Sequence, residues 1–205
     1  MCIRDRDTLA LLPTGGGKSL CFQVPALALP GLCLVISPLV ALMKDQTDSL
    51  RKKNITAFSI HAGMDRREVA NILRLAAESN CKLLYVSPER LETSLFLEWL
   101  PALNVSMIAV DEAHCVSQWG YDFRPPYLRI AAIRGLLPEA PLLALTASAT
   151  AEVLDDIAIR LEMTTPAVFR QPFTRPNLSY SYFKVDNKIR KITEILASVP
   201  GSSII

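Results

Sequence analysis

Leu9-Ala10-Leu11-Leu12-Pro13-Thr14-Gly15-Gly16-Gly17-Lys18-Ser19 joins a short apolar run to three consecutive glycines, a lysine and a hydroxyl. The run reads as a buried strand. The glycines read as a turn whose backbone N–H groups can converge on one anion, because glycine takes positive φ and carries no Cβ. A helix starting near Lys18 adds the positive end of its dipole at the same point. In a triphosphate site of this kind Thr14, Gly15, Gly16, Gly17, Lys18 and Ser19 form the cradle. Lys18 reaches the β- and γ-phosphates, and the Ser19 hydroxyl ligates Mg2+. The general pattern G-x-x-x-x-G-K-[ST] asks for glycine where Leu12 stands, so the match fails by one residue.

Outward from this stretch, short apolar runs alternate with helical patterns. Leu32–Ile36, Lys82–Val86, Val105–Val110 and Pro141–Thr146 read as strands buried on both faces, and Ala57–Ile60 as a weaker one. Leu20–Leu29, Pro38–Lys53, Glu92–Leu100 and a stretch ending near Leu137 read as helices, with Leu39, Leu42, Met43 and Leu50 as the inward stripe of the second. Asp65 is placed to cap a helix that turns Val69, Ile72, Leu73 and Ala76 inward, and Thr150 to cap one with Val153, Ile157 and Leu161. The alternation predicts an α/β domain, a mostly parallel sheet with helices on both faces.

Residues 8–165 are expected to form that domain. Met1–Asp7 reads as a truncated or non-native lead-in. Residues 166–177, with three prolines, read as an inter-domain connector. A strand at Leu178–Lys184, a helix at Lys188–Leu196 and the apolar Ile204-Ile205 then predict the truncated start of a second domain, so both ends read as cuts in a longer protein.

The 205 residues carry a net charge of +2, which neither demands nor excludes nucleic acid, since a basic groove needs only local clustering. No apolar run reaches the ~18 residues of a membrane span, and no secretory or transit signal is evident at the start, which predicts a cytoplasmic protein. Five scattered cysteines without a C-x-x-C argue against a disulfide framework or a structural zinc site.

Asp111 and Glu112 end the run Val105–Val110, at the C-terminal end of a buried strand, where open α/β sheets place their ligands. Phosphoryl transfer depends on positioning and electrostatics. One carboxylate for the metal (Asp111, through water) and one to polarise the attacking water (Glu112) therefore suffice. His114 is expected to bridge this pair to Thr146-Ala147-Ser148. Further on, Trp119, Tyr121, Phe123 and Tyr127 lie among Gln118, Arg124 and two prolines. That composition suits a platform on which bases stack, worth ~1–3 kcal/mol each, with Arg124 adding a phosphate or cation–π contact. The same rings read equally well as a satellite core under a long loop.

These segments together resemble superfamily 2 helicases. Thr14 to Ser19, Ser37-Pro38-Leu39 with Lys44-Asp45-Gln46, Ser87-Pro88-Glu89-Arg90, Asp111-Glu112-Ala113-His114 and Thr146-Ala147-Ser148-Ala149-Thr150 stand in the order of that superfamily's motifs I, Ia, Ib, II and III. Ser117-Gln118-Trp119-Gly120-Tyr121-Asp122-Phe123-Arg124-Pro125 resembles the aromatic-rich loop of RecQ DNA helicases, and Phe173-Thr174-Arg175-Pro176-Asn177-Leu178 resembles the link between that family's two RecA-like domains. The likeness spans residues 8–205, and the family does not require the glycine missing at Leu12.

The resemblance implies a RecA-like P-loop NTPase domain with ATP and Mg2+ as ligands and DNA, single-stranded or partly duplex, as partner. It further implies a second RecA-like domain, and hydrolysis coupled to three-prime to five-prime movement in DNA repair or recombination. Lys18, Glu112 and His114 become the catalytic candidates, and Ser19 and Asp111 the metal ligands. Trp119, Phe123, Arg124, Ser37, Lys44, Ser87 and Arg90 become the DNA contacts. Taken singly, Ser37, Lys44, Ser87 and Arg90 read equally as caps or solvated charges. Gln118, Thr146 and Ser148 are the coupling residues, Ser148 standing where the family usually has a second threonine. The upstream adenine-reading motif is not found, so these residues alone are expected to bind nucleotide weakly and unwind nothing. An RNA helicase of the same superfamily, or a DNA-binding module with a vestigial phosphate loop, are the competing readings. The Trp119 loop weighs against the first, and intact Lys18, Ser19, Asp111 and Glu112 weigh against the second.

Overall fold

A computed structural model describes residues 6–120, 122–172, 174 and 177–205. Most of the 1–7 lead-in, Cys2, Tyr121 of the aromatic loop, and Phe173, Arg175 and Pro176 of the linking motif lie outside the described residues. The chain divides into two compact units, Met1–Phe173 and Thr174–Ile205.

In the first unit, β1 (Thr8–Leu11), β2 (Leu32–Ile36), β3 (Ala57–Ile60), β4 (Leu83–Val86), β5 (Val105–Val110), β6 (Leu142–Thr146) and β7 (Ala167–Arg170) form one sheet in the order β3-β4-β2-β5-β6-β1-β7. Every pairing is parallel. Both faces must therefore be covered, and alternate residues along each strand enter two separate cores. Cys33, Val35, Met107 and Ala109 pack with Phe22 and Ala26 of α1 (Lys18–Ala28) and with Met43 and Leu50 of α2 (Val40–Arg51). On the other face Leu34, Ile36, Ile108 and Val110 pack with α3 (Arg66–Glu78), α4 (Ser94–Trp99), α5 (Arg129–Leu136) and α6 (Ala151–Arg160). Asp65 and Thr150 are the caps expected of them, accepting from Glu68 N at 2.8 Å and Val153 N at 3.4 Å.

Four features depart from expectation. Leu39 is exposed ahead of α2, and the buried stripe is Met43, Thr47 and Leu50. Thr47 is tolerated because its hydroxyl donates to the Lys44 carbonyl at 2.9 Å. The 166–177 segment does not begin as connector, because β7 pairs with β1 and supplies the partner that β1 would otherwise lack at the sheet edge. Asp7, in the stretch read as a truncated or non-native lead-in, is built into the fold: it is buried, accepts from Leu142 N at 3.0 Å and pairs with Arg134, which also donates to the Leu161 carbonyl at 2.9 Å. One carboxylate thus ties the start of β1 to β6 and α5.

The fourth departure lies in the second unit, where Leu178–Lys184 is not a strand despite its alternation. It has no ladder partner among the described residues, and a lone strand cannot satisfy its backbone. α7 (Lys188–Ser198) does form, capped by Asn187, whose side chain accepts from Arg190 N at 3.0 Å.

Candidate active site

The chain leaves β1 through a turn closed by Gly16 N donating to Pro13 O at 2.9 Å. Gly15 and Gly17 hold φ of 78° and 80°, the left-handed region that favours glycine. Gly16 is required for a different reason: a Cβ there would sit 2.8 Å from the Pro13 carbonyl oxygen. Gly17 caps α1 without a side chain, so the helix's first N–H groups receive no side-chain acceptor from their own cap.

β6 lies between β1 and β5, so the ends of all three strands open on one edge of the sheet. Asp111 and Glu112 follow β5, and Glu112 turns sharply through φ 48°, a left-handed conformation costly for a non-glycine residue. The turn brings its carboxylate to 4.0 Å from Lys18 Nζ and 3.3 Å from His114 Nδ1. His114 Nδ1 also meets Thr146 Oγ1 at 2.9 Å, and that hydroxyl accepts from Ser148 N at 3.1 Å. The expected bridge from the acidic pair to the end of β6 is therefore a chain of contacts, Glu112–His114–Thr146–Ser148.

Asp111 is 7% exposed. Ser37 Oγ donates to its Oδ2 at 3.3 Å, Glu112 N to its Oδ1 at 3.0 Å, and the buried Tyr127 hydroxyl to its backbone carbonyl at 3.0 Å. Burial, and then the neighbouring Glu112 charge, push the Asp111 carboxyl above its ordinary value. The cleft these groups share has a volume of about 410 Å³ and is lined by Thr14, Gly15, Gly17, Lys18, Ser19, Gln46, Asp111 and Glu112, among others. Its donor set fits a magnesium-bound triphosphate. The Gly16 position admits no Cβ, Lys18 and the α1 N-terminus would face the oxyanions, and Ser19 and Asp111 would offer the oxygen ligands a hard cation takes.

The residues expected on nucleic acid are spread more widely. Trp119 is 78% exposed, Lys44 and Gln118 are exposed, and Phe123 is half-buried. Arg124 grips Asp122 with two donors, at 3.1 and 2.9 Å, while its backbone closes the loop onto the Cys115 carbonyl. Ser37 and Ser87 are buried at 2% each and are not placed as surface contacts; Ser37 is committed to Asp111. Arg90 donates to the carbonyls of His61 (2.9 Å), Ala62 (3.0 Å) and Met64, so its guanidinium clamps the turn after β3. Tyr127 belongs to the core.

One group in the cleft carries no role in the sequence reading. Gln46 of α2 donates to Ser19 Oγ at 3.0 Å and accepts from the buried Tyr85 hydroxyl at 2.7 Å. No local spacing signals this contact, because the partners come from α1, α2 and β4.

A family description, DEAD/DEAH box helicase, matches residues 1–157. The chain belongs to the DEAD/DEAH box helicases. This helicase chain is 39% identical over 198 residues to ATP-dependent DNA helicase RecQ of Pasteurella multocida, covering 97% of itself and 31% of the relative. To the RecQ helicase of Bacillus subtilis it is 43% identical over 190 residues, covering 92% of itself and 32% of the relative. It thus spans roughly a third of the length of these curated relatives. Among solved structures, the Hef helicase domain of Pyrococcus furiosus matches with a TM-score of 0.63 at 23% identity, over 89% of this chain and 39% of that one. The yeast DEAD-box splicing factor Prp28 matches at 0.62 and 24%, over 94% of this chain and 49% of that one. The seven-stranded sheet is thus that of RecA-like helicase domains.

Proposed function

We propose that this chain is the ATP-binding motor lobe of a RecQ-like DNA helicase, which in the complete protein couples hydrolysis to three-prime to five-prime translocation on single-stranded DNA and to unwinding. The observation that carries the reading is the convergence of Lys18, Ser19, Asp111 and Glu112, from opposite parts of the sequence, on one cleft, with Lys18 and Glu112 4.0 Å apart. The relatives named as RecQ DNA helicases support the choice of polymer.

Bound Mg2+–ATP would supply the transferable phosphoryl group and most of the charge compensation. The chain's own residues supply position. Lys18 holds the β- and γ-phosphate oxygens, Ser19 and Asp111 hold the cation, and Glu112 orients and polarises the attacking water. His114, held between Glu112 and Thr146, links that carboxylate to the end of β6. Trp119, exposed and starting only a few residues after Glu112, offers a face on which a base can stack. Stacking there would bias the loop, and through it Glu112 and His114, toward their hydrolytic placement.

Hydrolysis by the full-length protein without polymer, with single-stranded DNA and with RNA tests this reading. DNA is expected to stimulate most, Lys18→Ala to abolish turnover, and Trp119→Ala to lose stimulation while keeping basal hydrolysis. Persistent turnover in Lys18→Ala refutes the site assignment. Stimulation by RNA but not DNA moves the protein to the RNA-directed branch of the superfamily.

A further inference from the structure

Four polar side chains from three elements meet beneath the phosphate loop. Tyr85 of β4 is 1% exposed, and its hydroxyl donates to Gln46 Oε1 at 2.7 Å. Gln23 of α1 donates from Nε2 to the Tyr85 oxygen and to Gln46 Oε1, both at 3.4 Å. Gln46 of α2 donates from Nε2 to Ser19 Oγ at 3.0 Å. The directions of these bonds form a consistent circuit. With Gln23 donating to it, the tyrosine oxygen turns its own proton to Gln46. In this arrangement Gln46 Oε1 is the acceptor, and the amide nitrogen faces Ser19.

This fixes what Ser19 can present to the cleft. A serine hydroxyl has one proton and two lone pairs. Gln46 is a pure donor toward it, so one lone pair is taken and the Ser19 proton cannot point at Gln46. The proton and the second lone pair share the other two directions, so Gln46 narrows the rotation of the hydroxyl and keeps a lone pair available to the cleft that Ser19 and Asp111 both line. A freely rotating hydroxyl would present its proton there in part of its orientations and repel a cation.

We propose that Gln46 is a positioning residue: it holds the Ser19 hydroxyl in the orientation that ligates Mg2+, and Tyr85 locks the amide that does so. The inference rests on the reading of the cleft as a Mg2+–nucleotide site. Gln46 acts through Ser19, as groups hydrogen-bonded to metal ligands do elsewhere.

The test is binding of a fluorescent ADP to the full-length protein, with Mg2+ and with EDTA, and thermal unfolding of each variant measured alongside. Gln46→Met keeps the length and apolar bulk of the side chain but removes its hydrogen bonds to Ser19, Tyr85 and Gln23. It is expected to cut the Mg2+-dependent gain in affinity about tenfold, the lower end of the range for lost partners of metal ligands, with EDTA binding unchanged. Tyr85→Phe, which leaves the amide in place but unlocked, is expected to act in the same direction and less. If the wild type gains affinity with Mg2+ and both variants gain equally, the positioning role is refuted while the nucleotide site stands. A loss in EDTA equal to the loss in Mg2+ makes Gln46 a general structural support and also refutes it. If the wild type shows no Mg2+-dependent gain, the reading of the cleft falls and this inference with it.

Discussion

Arg134 is a side chain whose loss should be felt through the whole sheet. It pairs with Asp7 and donates to the Leu161 carbonyl, and Asp7 in turn accepts from Leu142 N. Replacing Arg134 by methionine leaves a carboxylate that is 7% exposed without its cation. Breaking a buried pair from one side costs about 3–5 kcal/mol. Asp7→Asn is the milder break, because an amide oxygen still serves Leu142 N and the Arg134 side chain, 20% exposed, keeps some water. Losing only the charge-assisted part costs about 1.5–3 kcal/mol. With a Tm change of about 2–4 °C per kcal/mol for a domain of this size, these costs correspond to falls of roughly 6–20 °C for Arg134→Met and 3–12 °C for Asp7→Asn. Thermal and urea unfolding measure both, and nucleotide affinity well below Tm should match the wild type. A larger fall for Asp7→Asn than for Arg134→Met, or no resolvable fall for either, would refute the reasoning.

Other expected outcomes concern the cleft. Asp111→Asn removes a buried charge beside Glu112; in the protein without nucleotide it is expected to raise Tm while abolishing Mg2+-dependent nucleotide binding, seen by melting and binding side by side. The wild-type penalty has a definite sign: the raised folded pKa makes the ionised form costly at neutral pH, and the cost fades as pH falls through that pKa. Tyr127→Phe strips the donor from the Asp111 carbonyl and is expected to cost about 1–3 kcal/mol by urea titration. Gly16→Ala forces a Cβ to 2.8 Å from the Pro13 oxygen, so the loop must open; nucleotide binding should fall more than stability, and equal falls would count against the cradle.

The sheet was largely legible because an all-parallel sheet buries both faces, so its strands read as apolar runs such as Leu32–Ile36 and residues 107–110. Caps at Asp65 and Thr150 were legible for the local reason that a cap and its helix are neighbours in sequence. Edge strand β7 was hidden by its brevity and by the prolines flanking it, Pro166 and Pro172, and Leu178–Lys184 misled because alternation says nothing about whether a partner strand exists. At the site, the phosphate loop and Asp111-Glu112 carry their chemistry in consecutive residues. Ser37, Ser87 and Arg90 do not. A hydroxyl or guanidinium suited to a phosphate is equally suited to a buried carboxylate or three backbone carbonyls, and only the fold tells which one it meets. The Gln46–Tyr85 contact could not have been read from spacing at all, since it depends on α2 lying over β4.

The common direction of the strands sorts the consequences of mutation by the end at which they fall. Thr146, Asp111 and the phosphate loop stand at the outgoing ends; the clasp of Asp7, Leu142 and Arg134 stands at the incoming ends. A genetic screen should therefore return two kinds of allele: inactive proteins that accumulate normally, from changes at the first group, and temperature-sensitive proteins that work when cool, from changes at the second.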